Sequence, residues 1–257
     1  MMKKHTVLYG IIILLLFFCF PEVIISSSTS YYFRTLGIND GLSQSTVNAI
    51  LQDQKGFMWI GTKDGLNQYD GQECRVFQKE NSSLGNNFIT ALYEDCEGYI
   101  WVGTDAGVYI YNPVQEAFQF LDTEIASSGE KITRAVTWIT SDSQNNIWIS
   151  VDNQGLFCYN RGKKNLTKVV SCGKSGIANV THFWFYAGQL WIARYEDNLY
   201  VSKDNSSFNA FNDVDGEDIF KGLVINSYVE GLHNCLYVGT SKGLMEINLT
   251  SRKVRML

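Results

Sequence analysis

The chain has 257 residues, with 21 lysines and arginines against 26 aspartates and glutamates, a formal charge of −5. That mildly acidic balance excludes the basic surface a nucleic-acid binder needs. A hydrophobic content of 45% with 18% charged residues excludes a disordered chain.

The chain opens on Lys3 and Lys4, an apolar run from Thr6 to Phe20, Pro21 and a serine-rich stretch. This order predicts a secretory signal peptide over residues 1–28, cut between Ile25 and Ser30. A retained membrane anchor is the alternative. Phe18 stands before Cys19 where lipoprotein signals have a small residue, so lipidation is set aside. Cleavage would leave 19 basic and 25 acidic side chains, a charge of −6. The YYFRTLG segment that follows, residues 31–37, reads as an outer β-strand.

Beyond it one pattern recurs. WIGTKDGLNQYD starts at Trp59, WVGTDAGVYIYN at Trp101, WISVDNQGLFCYN at Trp148, WIARYEDNLYVS at Trp191 and YVGTSKGLMEIN at Tyr237, at spacings of 42, 47, 43 and 46 residues. A second run precedes each aromatic: VNAILQD from Val47, ITALYED from Ile89, VTWITSD from Val136, VTHFWFY from Val180 and INSYVEG from Ile225. Each unit reads as four short strands joined by polar turns, and the period is that of a propeller blade. The predicted fold is all-β: a β-propeller of four-stranded antiparallel blades at about 47–79, 89–121, 136–170, 180–212 and 225–257. With an additional outer strand at its start, this reads as an incomplete seven-bladed ring; a compact five-bladed closure is the alternative.

The repeated Trp59, Trp101, Trp148, Trp191 and Tyr237 are assigned to the interfaces between blades. The small residue two places on, which is Gly61, Gly103, Ser150, Ala193 or Gly239, suits a close approach of backbones. Gly65, Gly107, Gly155 and Gly243 fall at tight hairpins that ask for positive φ, and Asn198 takes that place in the fourth unit. Asp53, Asp95 and Asp142 recur at the first hairpin, where an aspartate bonds the backbone two residues on.

Against this scaffold the non-repeating residues are the better guides to function. The third and fourth units place Trp138, His182, Trp184 and Arg194 where other units have small, aliphatic or threonine residues. Aromatic faces beside an arginine suit a sugar, above all an acidic one; variation in the core explains the same residues equally well. The second residue of each inner strand, Asn48, Thr90, Thr137, Thr181 or Asn226, is polar in every unit and either rings a channel mouth or satisfies backbone groups. No nucleophile elbow, HExxH pair or phosphate-binding loop occurs, so no catalytic residue, metal ligand or cofactor is assigned. The five cysteines after Cys19 do not repeat with the units and form no disulfide framework, although a bridge between Cys158 and Cys172 stays open.

The run FRTLGINDGLSQSTVNAILQDQKGFMWIGTKDGLNQYDG resembles the start of the two-component regulator propeller, and the resemblance covers nearly everything after Tyr31. That family forms the periplasmic sensor region of hybrid two-component systems in Bacteroides-type bacteria. The resemblance implies a periplasmic sensor for an oligosaccharide that relays occupancy to a histidine kinase. Its implied partners are the remainder of the sensor or another protein, with a membrane involved only if the amino-terminal segment is uncleaved. Family members resemble a longer architecture with a second propeller, a membrane span and kinase domains, so the sequence reads as the amino-terminal part of such a sensor without kinase output. A free-standing binding propeller is the second reading. A propeller lyase or glycosidase, and a eukaryotic interaction propeller, are weaker ones.

Overall fold

The computed structural model describes residues 33–169, 180–195, 198–205, 207–212 and 214–257. The chain divides into two units, Met1–Thr35 and Leu36–Leu257. The proposed leader and Cys172 lie outside the described residues.

The second unit holds five four-stranded sheets, each with its strands in chain order. Blade one comprises β1 (Val47–Gln52), β2 (Met58–Thr62), β3 (Gly65–Tyr69) and β4 (Cys74–Phe77). Blade two comprises β5 (Ile89–Glu94), β6 (Ile100–Thr104), β7 (Gly107–Asn112) and β8 (Ala117–Phe120). Blade three has β9 (Val136–Ser141), β10 (Ile147–Val151), β11 (Gly155–Asn160) and β12 (Asn165–Lys168). Blade four has β13 (Val180–Tyr186), β14 (Gln189–Arg194), β15 (Leu199–Ser202) and β16 (Asn209–Ala210). Blade five has β17 (Ile225–Glu230), β18 (Cys235–Thr240), β19 (Gly243–Asn248) and β20 (Val254–Met256).

The inner strands β1, β5, β9, β13 and β17 contact one another in that order, and no comparable contact joins β17 back to β1. The five sheets are thus not a closed five-bladed ring. Ile50 on β1 and Val229 on β17 remain exposed, as expected where a blade face has no neighbour.

The outer strand expected over residues 31–37 is not found in the described part. Phe33–Gly37 forms no strand and leads into a 3-10 helix, Ile38–Asp40. A strand exists only as one rung of a ladder, and the chain is tied down differently. Leu42 is buried, the Ser43 amide donates to Asn67 Oδ1 at 2.8 Å, and Asn67 Nδ2 returns a bond to Ser43 Oγ at 2.9 Å.

Each of the first three blades is locked by one aspartate. Asp53 Oδ1 accepts the amides of Lys55 (3.0 Å) and Phe57 (2.9 Å), while Oδ2 accepts the Trp59 indole at 2.8 Å. Asp95 does the same for Glu97, Tyr99 and Trp101, and Asp142 for Gln144, Asn146 and Trp148. The expected turn bond is therefore half of the arrangement. The second oxygen fixes the indole, so a ring that supplies interface area also has its one polar atom satisfied. The fourth unit has a hairpin one residue shorter and no such aspartate, and Trp191 Nε1 is buried without a partner.

Adjacent blades meet by a repeated fit. Ile89, the first residue of β5, seats over Gly61, and Val136 seats over Gly103. A Cβ at Gly103 would stand 2.8 Å from Val136 Cγ1, 2.9 Å from Val136 Cβ and 3.1 Å from Ala91 Cβ. Two of these atoms are Cβ carbons that no rotamer change can remove. Gly103→Ala is therefore expected to cost about 1–3 kcal/mol, the range for overpacking. Gly162→Ala, where the nearest atom would be 3.6 Å away, is expected to cost under about 0.5 kcal/mol, the usual limit for surface changes. Urea melts of the two variants compare them directly; equal losses would refute the close approach.

Candidate functional site

In every blade the inner hairpin slips register at its second residue, so Asn48, Thr90, Thr137, Thr181 and Asn226 have no cross-strand partner. These are β-bulges, which turn a side chain out of the ladder. Asn48 Nδ2 donates to the Ile89 carbonyl of the next blade at 2.8 Å. Thr137 Oγ1 donates to Ser150 Oγ at 2.9 Å, and Ser150 Oγ donates onward to the Val180 carbonyl at 3.1 Å. Thr181 bonds the Ala193 carbonyl at 3.3 Å, while Thr90 Oγ1 is buried without a partner and Asn226 is exposed. The column mainly ties strands and blades together.

One position further, the residue opposite the small position of the second strand is Ala49, Ala91, Trp138, His182 or Ser227. Only blades three and four put large rings in this column. Trp138 and His182 lie 5.0 Å apart between ring centroids, and Trp138 also meets Tyr228 of blade five edge-on at 6.5 Å. His182 Nδ1 and Trp138 Nε1 are buried without hydrogen-bond partners. Burial holds the imidazole below its ordinary pKa, against a smaller raising effect of its hydrogen bond to the Ile225 backbone. The Tyr228 hydroxyl is pushed up to about 12 by burial and by Glu230.

Arg194 lies apart from the pair formed by Trp138 and His182, whereas Trp184 joins it through Tyr228. Trp184 is 1% exposed, stacked on Tyr228 at 4.3 Å and on Trp191 at 6.2 Å, so its ring closes the interface of blades four and five. Arg194 follows Ala193, the partner of His182, and alternation turns it to the other face of the sheet. There its guanidinium lies over the Tyr200 ring at 5.7 Å. Sequence reasoning did not pick out Tyr228. In the repeat alignment it occupies the column of Phe183, where an aromatic ring is ordinary core, and only the fold shows it reaching Trp138.

The arrangement offers flat aromatic faces and unpaired ring nitrogens, the chemistry of stacking and hydrogen bonding. Among the described residues no three His, Cys, Asp or Glu side chains are grouped to hold a metal ion. Cys158 is a free thiol, pushed up to about 12 by burial.

Comparison with known proteins places this geometry. The Two component regulator propeller family model matches residues 41–64 and 83–106, the segments that carry the first two WxGT motifs. A 69-residue stretch is 35% identical to histidine kinase P4 of Formosa agariphila; it covers 27% of this chain and 5% of that protein. The extracellular domain of a hybrid two-component system from B. thetaiotaomicron superposes with a TM-score of 0.72 at 26% identity over 88% of this chain. The present chain spans 32% of that domain's length. Virginiamycin B lyase from Staphylococcus aureus, at 12% identity and a TM-score of 0.60 over 82% of this chain and 69% of its own, shares the fold alone. Among the described residues no helix is long and apolar enough to cross a membrane. Residues 41–64 and 83–106 are thus similar to the two-component regulator propeller, and they lie in the first two of five successive four-stranded blades.

Proposed function

We propose that this chain is an extracytoplasmic, ligand-sensing part of a two-component signalling system, exported to the periplasm, and that its ligand is an oligosaccharide. The observation that carries this reading is the similarity to a two-component extracellular domain along 88% of the chain. The local match to a histidine kinase supports it. Carbohydrate as the ligand class is supported by the aromatic rings of Trp138 and Tyr228 at the inner strands of blades three and five, since apolar ring faces stack on sugar faces and ring N–H groups bond hydroxyls.

On this reading the chain binds and does not catalyse. Phosphoryl transfer belongs to a separate kinase domain, and the exposed Ile50 and Val229 faces meet the rest of the sensor or a partner protein. No nucleic acid is involved. Isothermal titration calorimetry against neutral and acidic oligosaccharides tests the proposal, alongside an assay for new reducing ends. The expected result is binding of at least one fragment without turnover, weakened by Trp138→Ala. Silence toward every fragment would remove the carbohydrate ligand, and turnover of any fragment would overturn the non-enzymatic reading.

A further inference from the structure

Charge is distributed unevenly along this acidic chain. Residues 131–168 hold six basic side chains, Lys131, Arg134, Arg161, Lys163, Lys164 and Lys168, against Asp142 and Asp152, a local +4 within a chain of −5. Three of the six line one cavity of about 510 Å³ on blade three, between the segment that leads into β9 and the β10–β11 turn. Its walls are Glu130, Lys131, Thr133, Arg134, Asn153, Gln154 and Lys168.

The state of these side chains defines what they lack. Lys131 is paired with Asp122. Arg134 and Lys168 form no ion pair among the described residues; the Lys168 ammonium merely lies 5.9 Å from the Phe157 ring centroid. Gln154 donates Nε2 to the Lys131 carbonyl at 3.2 Å, which fixes the orientation of its amide. Its Oε1 is thereby turned away from that carbonyl and is buried with no donor. The carboxylate of Glu130 has no cation of its own among the described residues. The cavity thus presents two unpaired cations, one buried acceptor without a donor, Gln154 Oε1, and the exposed carboxylate of Glu130.

A simple inorganic anion would suit the cations and leave Gln154 Oε1 unsatisfied, and a neutral sugar would do the reverse. A polyhydroxylated carboxylic acid answers both. Its carboxylate takes the charge-assisted bonds of Arg134 and Lys168, and its hydroxyls donate to Gln154 Oε1 and Glu130. We infer that this cavity is a binding site for the uronic-acid residue of an acidic oligosaccharide, separate from the aromatic rings at the inner strands. The inference rests on the carbohydrate reading above and fails separately from it.

Calorimetry with trigalacturonate as probe and neutral galactotriose as control tests it. Trigalacturonate is expected to bind the wild-type chain, and Arg134→Gln or Lys168→Gln to weaken it by about tenfold or more, the scale of one lost charge-assisted bond. Gln154→Leu is expected to weaken it similarly while leaving both cations in place. Raising the ionic strength from about 0.05 M to about 0.3 M should weaken binding further, because exposed charges are screened over a shorter distance. Arg134 and Lys168 are exposed, so thermal melts of their variants should match wild type. Absence of trigalacturonate binding, affinity unchanged in the variants, or equal affinity for galactotriose would each overturn the site. Neutral-sugar binding would survive that outcome and keep the sensor reading.

Discussion

Trp101→Ala is expected to lower the free energy of unfolding by about 3–5 kcal/mol, the range for large aromatic-to-alanine changes in a core. The ring is 2% exposed, lies 5.6 Å from the Tyr159 ring of the next blade, and donates Nε1 to Asp95 Oδ2 at 2.7 Å. Substitution removes the packing and also takes the indole donor from a buried carboxylate. Trp101→Phe separates the two effects. Most of the ring area stays, so this variant should lose about 1–3 kcal/mol, the cost of unpairing a buried polar group. Urea denaturation monitored by circular dichroism reads both. A loss under about 1 kcal/mol for the alanine variant, far below the range for core aromatics, would place the ring at the surface and remove the blade-interface argument.

The blades were legible because their physics repeats. A propeller interface needs one large ring, one small residue and one tight turn at fixed offsets, so Trp101, Gly103 and Gly107 announce the same geometry as Trp59, Gly61 and Gly65. Departures from the repeat were legible too: Trp138 and His182 do meet, and they stand in a column otherwise filled by alanine and serine. What sequence could not show was facing. A single bulge in each inner strand changes which residues share a side, and on β14 alternation sets Arg194 on the face opposite Ala193 and its partner His182, although all belong to one hairpin. Over residues 33–37, the described part of the outer strand read at 31–37, no strand forms, for a related reason. Its composition suits a strand, but composition does not supply a neighbouring ladder. The cavity around Arg134 gave no sequence signal, because Arg134 and Gln154 lie outside the strands and only folding brings them beside Lys168.

Asp95→Ala is expected to be as damaging as the loss of its tryptophan, and more damaging than Asp53→Ala. Both aspartates hold two backbone amides and one indole. Asp95 has an additional partner from the next blade: Arg161 Nη1 lies 3.0 Å from its Oδ2, while Nη2 lies 2.6 Å from Glu97 Oε2. The corresponding place in the unit that follows Asp53 is Pro113, which has no charge to offer. The Asp95 carboxylate is 1% exposed and Arg161 21%, so this pair is shielded from solvent in a way that surface pairs are not. Removing Asp95 leaves Arg161 with only the exposed Glu97 carboxylate, and breaking a buried pair costs about 3–5 kcal/mol. Asp53→Ala leaves only neutral donors unpaired and should cost about 1–3 kcal/mol. The decisive comparison is a double-mutant cycle. Asp95→Ala and Arg161→Ala should show a coupling energy within about 0.5–3 kcal/mol, the range for residues in direct contact, largely retained at high salt. Asp53→Ala with Arg161→Ala should be additive. Equal losses at Asp53 and Asp95, with no coupling to Arg161, would mean that the arginine stays solvated and that blades two and three are joined by packing alone.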